Sequence, residues 1–209
     1  MRENGFEWLG GDVAIDFHNT VSWRREGLLE ERLRSYADVV AWGRGAGLIV
    51  RPDALLARAL RRPTEAARAL RHALGLRATI HAIFTAIACR RAPEARDFSA
   101  LNRMLSGALG RLAVGKRPKG YDWTWTDTNR LDSLCGPIVW SAARLLTSDE
   151  VGQVGRCANE NCGWLFVDRS RRHNRRWCEM SECGSRDKAR RYYARKRARR
   201  RRPESGSRP

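Results

Sequence analysis

Four cysteines near the C-terminus fall in two matched pairs, Cys157 with Cys162 and Cys178 with Cys183; each pair is split by four residues and the pairs are fifteen apart. Paired thiolates at such spacing are what a tetrahedral Zn²⁺ site requires. Metal also explains how the segment can fold. A stretch of about 45 residues with few large apolar groups buries too little area to offset its chain entropy, and structural Zn²⁺ supplies on the order of 10 kcal/mol. Four thiolates leave no open coordination position, so the expected ion is structural, one per chain, and not a hydrolytic catalyst. Disulfides and an iron–sulfur cluster are the competing uses of the same four residues.

The charge around these cysteines sets the partner. The 209-residue chain carries a net +18, and from Arg156 onward eighteen Lys/Arg face six Asp/Glu. Two-thirds of the excess therefore sits in the last quarter of the chain. Such a balance points to a polyanion, DNA first and RNA second, with an acidic membrane surface as the competing partner. No run of about 18 apolar residues is present to cross a membrane, and the first residues lack the apolar stretch of a signal peptide. The expectation is a cytoplasmic, nucleoid-associated protein without membrane attachment, in a reducing compartment that keeps cysteines as thiolates.

Hydrophobic periodicity divides the chain at about residue 150. Val13, Ile15 and Phe17 alternate within Val13–Thr20 as a short strand would. Helices are expected over 38–47, closed by glycine, over 54–61, and over 64–91, where Leu70, Leu74, Ile80, Ile83, Phe84 and Ile87 recur at three- and four-residue spacings behind Pro63. Further helices are expected over 98–109 and 131–146, with a strand at 121–126, where aromatic and polar residues alternate. Residues 1–150 thus read as a mainly α domain with minor β (α+β), serving sensing or assembly.

Residues 151–202 read as a second, smaller module. Trp164–Arg169 and Arg175–Cys178 suggest a hairpin around the polar turn 170–174, and Asp187–Arg202, free of Gly and Pro, should be helical. Cysteine knuckle, hairpin and basic helix in that order describe a treble-clef-like zinc finger. The closing residues 203–209 have the composition of a disordered tail.

The residues from Cys157-Ala-Asn-Glu-Asn-Cys162 through Arg175-Arg-Trp-Cys178 to Cys183-Gly-Ser-Arg186-Asp-Lys188 resemble the CGNR zinc finger of bacterial proteins. Ser185 stands where that family's naming motif has Asn; the cysteine and arginine are kept. Members typically join this finger to an N-terminal ABATE domain and are regarded as stress-related transcription regulators. Ile15-Asp-Phe-His-Asn-Thr20 is similar to the opening motif of that domain. Trp42 through Gly47-Leu48, Leu101-Asn102 and the end of the 142–146 helix also fit it. The resemblance implies a two-domain, metal-binding regulator.

On DNA, the cations available to phosphates and guanine edges are Arg169, Arg171, Arg172, Arg175 and Arg176 on the hairpin. Arg186, Lys188, Arg190, Arg191, Arg195 and Lys196 join them from the helix. Tyr192, Tyr193 and Trp177 could stack on RNA bases, although core packing suits Trp177 better. Asp16, His18, Asn19 and Thr20 could line a pocket for a small-molecule effector, and their plainer role is capping a turn or helix. An enzyme would place Asp16 and His18 as acid and base, with the basic tail as a localising arm. No nucleophile elbow, phosphate loop or His-Glu metal motif supports that, so the expected function is non-enzymatic. Cys89 and Cys135 read as buried structural thiols. Either a monomer or a homodimer is compatible with the sequence.

Overall fold

Short polar caps, prolines and glycines set the element boundaries, and they are visible one after another in the computed structural model, which describes residues 2, 3, 5–24 and 27–201. The chain opens with two two-residue strands, β1 (Arg2–Glu3) and β2 (Phe6–Glu7). Next comes the six-residue helix α1 (Val13–His18), whose N-cap Asp12 accepts from the Ala14 amide at 2.8 Å. The antiparallel pair β3 (Val21–Arg24) and β4 (Gly27–Glu31) leads into α2 (Tyr36–Gly45). Ser35 and Asp38 cap α2 reciprocally, which satisfies two of the amide donors that a helix start leaves open.

Two prolines then start helices where their missing N–H costs nothing: α3 (Pro52–Arg61) and the 26-residue α4 (Pro63–Ala88). After α5 (Ala95–Leu109) a hairpin of β5 (Leu112–Arg117) and β6 (Gly120–Trp125) precedes α6 (Cys135–Leu146). A 3₁₀ turn at Asp149–Gln153 leads to β7 (Val154–Arg156), which pairs antiparallel with β8 (Leu165–Val167). A turn of π-helix at Met180–Gly184 runs into the last helix, α7 (Ser185–Arg201).

Helix α4 is the spine. Its Leu76, Ile80, Ile83 and Phe84 are fully buried against Ile15 and Phe17 of α1, Trp42 of α2 and Ile138 of α6. Each such side chain contributes about 1.5–3 kcal/mol through the apolar area it removes from water. Val154, Leu165 and Val167 belong to the same core, so the β7–β8 hairpin is packed into the helical body and not merely tethered to it.

The expected helices are present, their ends shifted by about a turn or less in either direction, and the fold is helical with small antiparallel hairpins and a cysteine cluster near the C-terminus. Two local expectations change. Residues 13–18 form a helix and not a strand, because Ala14, Ile15, Asp16, Phe17 and His18 are all buried and the alternation of 13, 15 and 17 marks no exposed face. The strand over 164–169 pairs with Val154–Arg156, upstream of the first cysteine, and not with 175–178. The tail expected over 203–209 lies outside the described residues. Among those described, no helix is long and apolar enough to cross a membrane.

Candidate metal centre and nucleic-acid interface

Cys157 leaves β7 and Cys162 closes the loop that returns to β8. The Cys157 amide donates to the Trp164 carbonyl at 2.8 Å, and Gly163, at φ 72, makes the tight return between Cys162 and Trp164. The Ala158 amide donates to the Arg176 carbonyl at 2.8 Å and so draws the segment before Cys178 against this knuckle. Cys183 sits in the π turn that opens α7.

The four sulfur atoms lie within 4.8 Å of one another, all buried, with Cys162–Cys178 and Cys178–Cys183 each at 3.6 Å. A Zn–S bond of about 2.3 Å in a tetrahedron places sulfurs about 3.8 Å apart, whereas a disulfide would bring two of them to about 2 Å. The donor set therefore fits one structural Zn²⁺. Four buried thiolates this close would repel one another without a cation; with it they are held deprotonated together. A cleft of about 460 Å³, lined by Cys162, Cys178 and Cys183, opens beside the site and gives solvent a route to it.

Around the metal the backbone is fixed by buried polar side chains. Asp168 accepts from the Ser170 amide at 2.9 Å and the Arg175 amide at 2.8 Å, closing the polar turn. Arg175 then turns inward. Its guanidinium donates to the carbonyls of Trp177, Leu9 and Cys178 and lies 4.4 Å from the centre of the Phe166 ring. Arg169 also faces the body, donating to Glu150 at 2.8 Å and to the Gly11 carbonyl at 2.6 Å.

The remaining cations of the finger divide in two. Arg190 reaches Glu160 and Asp187, each at 3.0 Å, and Arg191 reaches Asp187 at 2.6 Å. By contrast, Arg171, Arg172, Arg186, Lys188, Arg195 and Lys196 are exposed and have no ion-pair partner among the described residues. Arg176, also exposed, lies 5.1 Å from the Trp177 ring centre. Tyr192 and Tyr193 are exposed on α7, while Trp177 packs against the cysteine cluster. The pairings of Arg169, Arg175 and Arg190 involve carboxylates and carbonyls distant in the chain, so charge counting along the sequence missed them.

The polar residues at the end of α1 are brought together but directed inward. The Asn19 amide donates to the Leu165 carbonyl at 2.9 Å and accepts from the Leu165 N–H at 3.0 Å. This pair of hydrogen bonds to one residue's backbone fixes which amide atom is oxygen, and the Asn19 oxygen also meets His18 Nδ1 at 2.9 Å. His18 Nδ1 therefore carries the proton. Full burial holds the ring neutral, its pKa lowered to about 3, so Nε2 is an acceptor facing His81 Nδ1 at 2.9 Å. Thr20 donates to the Phe17 carbonyl and accepts from Arg77, which also forks onto Glu31. Asp16 accepts from the Gly10 amide at 2.7 Å, and burial raises its pKa to about 6. A side chain on Gly10 would strike Ile15 and the Asp16 backbone, which is why glycine stands there.

These contacts tie the finger to the body at several points. The Trp164 indole donates to the Val21 carbonyl at 3.0 Å and the Val167 amide to the Gly10 carbonyl at 2.8 Å. His81 and Arg77, both on α4, had no sequence signal beyond polarity inside an apolar helix. Of the two remaining cysteines, Cys135 is buried, its thiol pushed up to about 12 by burial, and Cys89 is exposed, contrary to the expectation for it.

Comparison with known families divides the chain in the same order. Residues 11–149 match the ABATE family, described as "Putative stress-induced transcription regulator", and residues 153–196 match the CGNR zinc finger. No curated protein is significantly similar to the chain.

Proposed function

From its place in the ABATE family, to which the chain belongs, we propose that it is a DNA-binding transcription regulator, with the finger as the nucleic-acid contact and the helical body as the sensing or assembly unit. The observation that carries this reading is a group of seven exposed cations on the finger that no carboxylate neutralises among the described residues. Arg171, Arg172 and Arg176 flank the metal site, and Arg186, Lys188, Arg195 and Lys196 lie along α7. The metal fixes the start of that helix. A 17-residue helix is about 25 Å long, enough to lie across a groove or along a phosphate backbone.

Both units belong to regulatory and zinc-finger families, and the four-thiolate site offers no coordination position to a substrate. Both features support a protein that acts by binding. Exposed Tyr192 and Tyr193 favour RNA as the second reading, since single-stranded bases stack on aromatic rings. Fluorescence anisotropy with labelled duplex DNA and with single-stranded RNA of equal length separates the two. The proposal expects tighter duplex binding, with each lost phosphate contact lowering the salt slope by about 0.9. Preferential RNA binding would transfer the function to RNA.

A further inference from the structure

The β5–β6 hairpin is not used by the regulator reading, yet it carries the most unusual exposed surface of the helical body. Val114 stands opposite Trp123 and Lys116 opposite Tyr121, so one face of the hairpin presents apolar, aromatic and cationic groups together. Trp123 is 56% exposed. Trp125, two residues on, is pressed by the benzo edge of its indole against Gly136 at the start of α6.

Beside these two tryptophans lies a cavity of about 420 Å³, between β6, the loop after α2 and the start of α6. That volume is in the range of small-molecule sites. Its chemistry is one-sided. Arg51 and Arg117 line it, and no carboxylate does. Arg51 has no ion-pair partner among the described residues, and Arg117 has only Asp122 at 4.0 Å. Thr128 and Asn129 add side-chain hydrogen-bonding capacity that no protein group takes up among the described residues. The cleft beside the metal differs, since four of its lining residues are glutamates.

We propose that this cavity binds a small planar aromatic carboxylate. The ring lies against the indoles of Trp123 and Trp125, the carboxylate pairs with the guanidinium groups of Arg51 and Arg117, and Thr128 and Asn129 bond the ligand's polar edge. Indole faces favour flat aromatic partners, and guanidinium forks match carboxylate geometry. The site goes beyond the regulator reading and stands on the cavity alone; it would hold for a chain that bound no DNA.

Isothermal titration of the full-length, zinc-loaded protein with 2-naphthoate, the uncharged 2-naphthamide and adenosine 5′-monophosphate tests it. The expected result is one naphthoate per chain, bound at least tenfold more tightly than the amide. Arg51→Ala combined with Arg117→Ala, both at exposed positions, should abolish that preference without moving the thermal transition, and Trp123→Ala should weaken both ligands together. Absence of heat with naphthoate, equal affinity for acid and amide, a preference that survives the double variant, or tighter binding of the monophosphate would each overturn the proposal.

Discussion

The side-chain amide of Asn19 pairs with both the N–H and the C=O of Leu165, 146 residues away, and so completes from the end of α1 the hydrogen bonding of a strand in the zinc finger. One side chain of the helical body thereby holds the finger in register. Leu165 itself is fully buried in the shared core, so this link and the packing act at one place.

Asn19→Ala leaves a buried N–H and a buried C=O of Leu165 unpaired, along with Nδ1 of His18. At about 1–3 kcal/mol for each buried polar group left unsatisfied, three such groups set an expected loss of at least about 3 kcal/mol. Urea denaturation measures it. Zinc content should stay at one per chain, since no ligand is touched.

Removing the metal should be felt beyond the finger. Val154, Leu165 and Val167 bridge the cysteine cluster and the main core, so Cys178→Ser, or a chelator acting through the cleft beside the sulfurs, is expected to lower the thermal transition of the helical body as well. Circular dichroism at 222 nm during a melt, with zinc assayed in parallel, checks this. A body transition unmoved after complete zinc loss would contradict the shared core.

Asp16 gives a pH signature with a defined sign. Its carboxyl is raised from 3.8 to about 6 by burial, so the folded state prefers the protonated form. That contribution is fully present below about pH 4 and is lost as pH rises through 6. At pH 7 the ionised group costs about 2–3 kcal/mol, because a tenfold change in proton affinity is worth about 1.4 kcal/mol. Asp16→Asn keeps an acceptor for Gly10 and should stabilise the protein at pH 7.5 while having little effect at pH 4.5. His18 acts oppositely: lowered from 6.5 to about 3, it destabilises the fold as pH falls below 6.5. The variant should therefore show a steeper loss of stability on acidification than the parent protein, read from urea midpoints at each pH.

How much of this was written in the sequence differs from element to element. The cysteine spacing and the helices over 38–47, 54–61 and 64–91 were legible because Pro63, Gly47 and long 3.6-residue periods are local signals. Helix α1 was not, since a six-residue segment buried on all sides shows no face. The partner of β8 was also hidden. Val154-Gly155-Arg156 has one large apolar residue, and the choice between it and 175–178 is made by the shared core and not by the strand itself. Arg77, 6% exposed within an otherwise apolar face, is explained by Glu31 and Thr20, which the chain brings to it from 46 and 57 residues away.

The unpaired cations divide the expected effects on nucleic-acid binding. Arg186→Ala and Lys188→Ala should each weaken duplex binding severalfold and reduce the salt slope by about 0.9, with zinc retained. Arg175→Ala should act differently, because its guanidinium bonds Leu9, Trp177 and Cys178. The expected result there is reduced thermal stability, with the salt slope of any remaining binding unchanged. Anisotropy titrations at several salt concentrations, set beside melts of the same samples, distinguish the two classes.

The most direct test of the account is one anisotropy titration of full-length protein on a labelled 30-base-pair duplex, performed with zinc bound, after chelation, and after zinc is restored. A metal-fixed cationic surface predicts tight, salt-sensitive binding that is lost on chelation and recovered with zinc. Equal affinity in all three states would contradict it.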